Sequence, residues 1–524
     1  MFVKNCLSLT LATVLGVAAN VCVAASEKGP SSSDTPYVVM TEPGWDVISL
    51  LTVGDRVPRQ GGKAGETYRM VGTPDGLGAF DNGDGTFTVL MNHEIAEHKG
   101  VVRAHGAKGA FVSRWVIRKN DLSVTGGSDL IREVNIWQDG QYLNPLKPKT
   151  GGAVTLSRFC SADLSPRSAF FNKASGKGFN GLIFMNGEEK GPEGRAFAHI
   201  ASGPNTGVSW QLPRLGKFSW ENAVAHPASG DLTLVFGTDD ATPGQVYLYV
   251  GEKQKKGNEI ERAGLTNGRL FGIKVSGIAR TSRDEEIQDR TAFALADLGD
   301  VSNLTGAQLQ RASIDAGVTE FLRPEDAAWD TRNPNVLYFV TTDRFDSSKI
   351  SAGSDKARTR LYKLEFFDVR KPQEGGLIYT LIDGSDPRIQ MFDNITVNGE
   401  GHILIQEDPG NQFYNAKTWL YDADARKLTQ IAMSDPQRFG DVGADSVVTP
   451  GDDRIKPANT EGVNFSRDEE NSGVIEITEL LKGSKRYEAG RRYYLAVNQA
   501  HFKSNDEELV EGGQMYLMVG PTPK

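Results

Sequence analysis

Cys160, in the stretch TLSRFCSADLSP (Thr155 to Pro166), is the residue whose chemistry most needs explaining. The chain has three cysteines, and the other two, Cys6 and Cys22, lie in an N-terminal segment built like a secretory signal. There Lys4 supplies the positive start, LSLTLATVLGVAANV the apolar run, and CVAAS small residues for cleavage near Ala24 or Ala25. With residues 1–25 removed, the mature chain holds one thiol and nothing to pair it with. An odd cysteine in an exported protein is a bridge to another chain, a reactive thiol, a metal ligand, or a small buried apolar side chain.

Carboxylates spaced like that cysteine narrow the choice. ENAVAHPASGDLTLVFGTD (Glu221 to Asp239) and EDAAWDTRNPNVLYFVTTD (Glu325 to Asp343) align without gaps. Each opens on a glutamate, turns at Pro, Gly or Asn, runs on as a strand and reaches an aspartate. Weaker copies open at Asp75 and end on Glu94, open at Asp393 and end on Asp408, and open at Glu461. CSADLSPRSAF, an insertion and then GLIFMNGEE put Cys160 in the same opening position. Five of the six opening residues, Asp75, Glu221, Glu325, Asp393 and Glu461, are acidic, and the sixth is Cys160.

These residues need elements that bring them together. TFTVLM, LTLVFG, VLYFVT and HILIQE are short, β-rich and bounded by turn residues, as strands are. Glycine is abundant, 58 of 524 residues, which fits a fold made of many turns. Six such units at irregular spacing predict an all-β fold: a six-bladed β-propeller with long loop insertions and a few short helices, one domain over 26–524. Ser302 to Gly317, with Ser302 as N-cap, and Val474 to Gly483 are the helical candidates.

In a propeller the first strand of every unit lines the axis, so the opening residues converge at one end. Carboxylates that close repel one another strongly, and cations relieve the repulsion. Oxygen ligands suit Ca2+, whereas a thiolate suits a softer ion such as iron or zinc. One thiolate among carboxylates therefore predicts mixed metals, with the softer ion at Cys160. Arg323 and Arg158 stand two residues before Glu325 and Cys160. Their guanidinium forks either bind phosphate oxygens or pair with neighbouring carboxylates.

Several function classes are excluded. A net charge of −9 and the lack of a basic run argue against a nucleic-acid partner. No run of about 18 apolar residues predicts a membrane span. In HEIAEH the histidines His93 and His98 would lie about 140° apart on a helix and could not share a zinc. Serine-hydrolase, P-loop and dinucleotide signatures are missing. The expectation is a monomer exported through a Sec-type signal peptide, periplasmic or secreted.

Taken in order, NHE (Asn92 to Glu94), the Cys160 region with GEE (Gly187 to Glu189), WENAVAH (Trp220 to His226), VYLYVGEK (Val246 to Lys253), RPEDAAWD (Arg323 to Asp330) and FDNITVNGEGHILIQED (Phe392 to Asp408) form a pattern. In that pattern the chain resembles the PhoX-type alkaline phosphatases, as a divergent member. The resemblance implies a six-bladed propeller whose axial site holds Ca2+ and Fe3+ and hydrolyses phosphate monoesters, the substrate being a small molecule. It implies Cys160, Glu189 and Glu221 as iron-side ligands and Glu325 as a bridging or calcium ligand. Glu94, Asp393 and Glu461 fall on the calcium side. Arg323 would hold the phosphoryl group, with Glu189 and Glu325 completing the catalytic set. Two features depart from better-known members: Gly187 stands where they carry a second cysteine, and the signal is not of the twin-arginine kind. The residues themselves leave open a calcium-dependent propeller lactonase or esterase, and a non-catalytic propeller with structural ions.

Overall fold

The computed structural model describes residues 25–144, 153–281, 287–346, 357–410, 412, 414–439, 469–502 and 504–522. The signal-like segment through Ala24, and Glu461, lie outside these residues. The fold is all-β. Its strands group into antiparallel meanders, each beginning with a short strand: β1 (Pro74–Asp81), β2 (Phe159–Asp163), β3 (Trp220–Ala225), β4 (Pro324–Trp329), β5 (Phe392–Val397) and β6 (Glu470–Glu476). The meanders begun by β3 and β4 share one nine-stranded sheet, joined where Thr291–Gly299 pairs with Gly376–Ile382. Each inner strand packs against the next, and β6 returns to β1, so the six close a ring. Ring closure is completed from the N-terminus, because Asp46–Thr52 pairs antiparallel with the C-terminal strand Gly512–Pro521.

The core sits in wedges between successive sheets. Side chains alternate across a strand, so neighbouring residues feed different wedges. Leu90 packs with Val112, Phe159 and Phe184 between the first two meanders. Val89, one residue earlier, packs with Phe87, Trp115 and Leu517 between the last meander and the first. Phe236 with Phe339 and Tyr362, Ile395 with Tyr338 and Trp419, and Leu404 with Tyr494 and Tyr516 fill further wedges. Strands buried on both faces need no polar alternation, which is why LTLVFG and VLYFV read as nearly continuous apolar runs.

Two helix expectations change. The helix α1 (Gly306–Ala316) starts three residues later than expected: Thr305 is its N-cap and forms a capping box with Gln308. Ser302 instead donates its backbone N–H to Asp300 in a turn. Of the stretch 474–483, Val474 to Glu476 extend β6, and only Thr478–Leu481 is helical.

Candidate metal centre

One backbone device recurs at the head of the inner strands. In β1 to β5 the ladder to the second strand breaks across two residues: Asp75 and Gly76, Cys160 and Ser161, Glu221 and Asn222, Glu325 and Asp326, Asp393 and Asn394. A bulge turns a side chain out of the ladder and bends the strand, and here it aims the first residue of each pair at the ring axis. Two residues earlier, Thr73, Arg158, Arg323 and Met391 adopt left-handed backbone with φ of 48°, 44°, 55° and 38°. Non-glycine residues adopt this conformation at a cost of about 1–3 kcal/mol and hold it only when the surroundings fix it.

The fixing bond is also repeated. Glu94, Glu189, Asp240 and Asp408 donate their backbone N–H to the carbonyls of Thr73, Arg158, Ser219 and Met391 at 2.8–3.0 Å. In the fourth meander Thr342 donates to Arg323 in the same way. Every such bond sets the residue ending a second strand beside the residue opening the inner one, so each unit delivers a pair of side chains to one end of the axis.

The outcome is a continuous array of donors. Asp75, Glu94 and Cys160 bring one ligand atom each to within 4.8 Å of one another, as do Cys160, Glu189 and Glu221. Glu221, Glu325 and Asp393 form a third trio, and Asp393, Asp408 and Glu470 a fourth. Neighbouring trios share Cys160, Glu221 or Asp393. Cys160 Sγ donates to Asp75 Oδ2 at 3.4 Å, and its own carbonyl accepts from Asn92 Nδ2 at 2.7 Å.

The array is electrostatically unsatisfied by protein alone. Burial, then the charges of its neighbours, pushes the carboxyl groups of Asp75, Glu325, Asp393 and Glu470 well above the usual carboxylate range. Burial raises Glu221 to about 8 and lifts the Cys160 thiol far above its ordinary value. Asp75 Oδ1, Glu221 Oε1 and Asp393 Oδ1 are buried without a hydrogen-bond partner. Buried acids with orphaned oxygens are a donor set that fits bound cations: hard oxygens for calcium, and one thiolate suited to a softer metal.

Arginines flank the array. Arg323 Nε and Nη2 donate to Asp240 Oδ1 and Oδ2 at 2.7 and 2.9 Å, and Nη2 lies 3.0 Å from Glu325 Oε1. The Asp240 side chain is 5% exposed and that of Arg323 27%, so one edge of the guanidinium is clamped and the other reaches outward. Burial opposes charge at both residues, yet each outweighs it for the other: Asp240 stays below the usual carboxylate range and Arg323 remains cationic. Arg158 pairs with Glu94 at 2.6 Å and with Glu189, as one of its two expected fates required.

The structure thus assembles Cys160, Glu94, Glu189, Glu221, Glu325, Arg323 and Asp393 at one site. It adds residues that were not expected among the site residues. Asp240, not its neighbour Asp239, pairs with Arg323; Asp239 accepts the Ser219 backbone N–H instead. Asp408 belongs to the array, and the sixth inner strand contributes Glu470. In β6 the ladder breaks between Ser472 and Val474, and Asn471 pairs with Asn498. That register makes Ser472, not an acid, the sixth opening residue and puts Glu470 two residues before it. The repeated order of acidic residues around DEENSGV was the available signal.

Gly187 has a local reason. A Cβ there would fall inside the Trp220 side chain, which leans over the strand from β3. The indole fills the space that a second cysteine would need.

A family model described as alkaline phosphatase PhoX matches residues 203–438. Over that segment the chain is similar to the PhoX family. That match supports a hydrolase of phosphate esters. The PhoX segment carries Glu221, Asp240, Arg323, Glu325, Asp393 and Asp408; Cys160, Glu94 and Glu189 precede it. Among solved structures the chain is similar to Pseudomonas fluorescens PhoX in complex with vanadate, a transition-state analogue. Identity is 11% and the TM-score 0.58, with 95% of this chain and 98% of that one covered, a likeness of fold. Trypanosoma rangeli sialidase in complex with sialic acid also aligns, at 9% identity and a TM-score of 0.33, covering 91% of this chain and 59% of that one. No curated protein matches.

Proposed function

We propose that the protein is a six-bladed β-propeller that hydrolyses phosphate monoesters at an axial centre of iron and calcium. The ring of six inner strands and the wedge-shaped cores between their sheets support the propeller. The observation that carries the chemistry is the clamped guanidinium of Arg323 beside an acid array that wants cations.

Cys160, Glu189 and Glu221 are the ligand set for iron, since they include the one thiolate. Glu325, Asp393, Asp408 and Glu470 offer oxygen only and suit calcium, with Glu94 and Asp75 between the two kinds. Bound there, the cations supply Lewis acidity toward phosphoryl oxygens. The chain itself does the rest. Asp240 occupies the Nε–Nη2 edge of Arg323, so Nη1 and the outer edge are presented to the phosphoryl oxygens. These contacts strengthen as charge gathers in the transition state. Glu325 beside Arg323, and Glu189 beside Arg158, hold the cations against that same face. Residues 1–25 direct export by a Sec-type route to the periplasm or beyond, and residues 26–524 act as one monomeric catalytic domain.

A lactonase or carboxylic esterase would need the carboxylates but not the clamped arginine. The test is turnover of p-nitrophenyl phosphate with calcium and iron supplied. Arg323→Ala should lower kcat/KM roughly 100- to 1,000-fold, the usual loss for one transition-state donor. Unchanged turnover in that variant overturns the assignment.

A further inference from the structure

The register that defines the sixth opening residue also fixes its companion. In the other meanders the second-strand residue opposite the position two before the opening residue is Glu94, Glu189, Asp240, Thr342 or Asp408. In the sixth, where Asn471 pairs with Asn498 and Val474 with Ala496, the equivalent residue is Gln499. Position alone therefore puts Gln499 in a slot that four sister units fill with a carboxylate.

Its contacts agree. Gln499 is 1% exposed, and its Nε2 lies 3.1 Å from Asp75 Oδ2, 2.9 Å from Glu94 Oε2 and 3.2 Å from Glu470 Oε1. An amide nitrogen carries two hydrogens and can serve at most two of those three acceptors. Meanwhile Gln499 Oε1 and Asp75 Oδ1 are buried with no hydrogen-bond partner. Amide oxygen and nitrogen are nearly the same size, so turning the group over costs no space. Turned over, Oε1 faces three carboxylates, an arrangement that only a cation makes favourable.

We infer that Gln499 is a neutral oxygen ligand, through Oε1, to a calcium ion shared with Asp75, Glu94 and Glu470. The inference rests on the array being a metal centre. It joins the two ends of the array, since Asp75 and Glu94 belong to the Cys160 trio and Glu470 to the Asp393 trio. An uncharged ligand there adds coordination without adding to the repulsion among neighbouring acids, and calcium accepts amide carbonyls readily.

The test uses calcium binding, so it is independent of ester turnover. The full-length mature protein is stripped with chelator and titrated with calcium chloride. Bound calcium is counted after equilibrium dialysis, and the thermal midpoint is followed alongside. Q499L should lose one calcium or bind it about tenfold or more weakly, as loss of a metal-supporting group typically costs. Q499E, which keeps an oxygen at the same place, should bind calcium at least as tightly as the wild type. The inference is overturned if Q499L keeps the wild-type number and affinity of calcium ions. It is also overturned if Q499E binds more weakly while remaining folded, because a residue that acts only as an N–H donor would behave that way. Should Q499L fail to fold, the Q499E result decides alone.

Discussion

Asp240→Asn is the sharpest perturbation of the phosphoryl site, because it changes one heavy atom of one residue and leaves the proposed metal ligands in place. In the wild type, Asp240 grips Arg323 through both oxygens at 2.7 and 2.9 Å. Asparagine keeps one acceptor and sets an amide donor against the other guanidinium nitrogen. The loss is one hydrogen bond between charged groups, worth about 1.5–3 kcal/mol. Arg323 is about a quarter exposed, which favours the lower half of that range. At about 1.36 kcal/mol per decade, kcat/KM for p-nitrophenyl phosphate should fall roughly 10- to 50-fold. Inhibition by inorganic phosphate should weaken in step, because the same guanidinium edge takes both ligands. Asp240→Glu, which keeps a carboxylate, should recover part of the loss. Calcium and iron contents are measured on each variant. A D240N enzyme within threefold of wild type at unchanged metal content would refute the clamp.

Three further outcomes are expected. Cys160→Ser should abolish iron binding while calcium remains, seen by elemental analysis and by loss of any thiolate-to-iron absorption band; iron at wild-type level would remove the thiolate from the centre. In metal-free protein, burial lifts Glu221 from an ordinary 4.5 to about 8. A raised carboxyl stabilises the fold below its unfolded value and loses that contribution as pH climbs through its folded one. The melting temperature of chelated protein should therefore fall between about pH 5 and pH 9, with calcium restoring most at the alkaline end; a rise over that interval would contradict the burial of the array. Gly187→Ala should destabilise by about 1–3 kcal/mol in denaturant titration, the usual penalty for forcing atoms into a filled core, here against Trp220; a neutral effect would mean that the indole yields.

The repeat was legible because its two clearest copies share a length: Glu221 to Asp239 and Glu325 to Asp343 superpose residue by residue, and both strands bury two faces. Cys160 could be placed only through them, since an insertion separates it from GLIFMNGEE. What stayed hidden is set by backbone geometry. The choice of Asp240 over Asp239 depends on which aspartate follows the last ladder pair, Trp220 with Asp239, and a one-residue step in a strand reverses the side chain. In the sixth unit the opening residue is Ser472, which a search for acids does not find, and Glu461 lies outside the described residues. The left-handed turns at Thr73, Arg158, Arg323 and Met391 fall on three residue types, so no single side chain marks them in the sequence. Closure by Asp46–Thr52 is a contact between chain ends that no local pattern encodes.

Elemental analysis of natively purified protein that turns over p-nitrophenyl phosphate tests the central claim most directly. The predicted result is iron together with calcium, with turnover abolished when a chelator strips both and regained when both are returned. Full turnover in protein holding neither metal would contradict it.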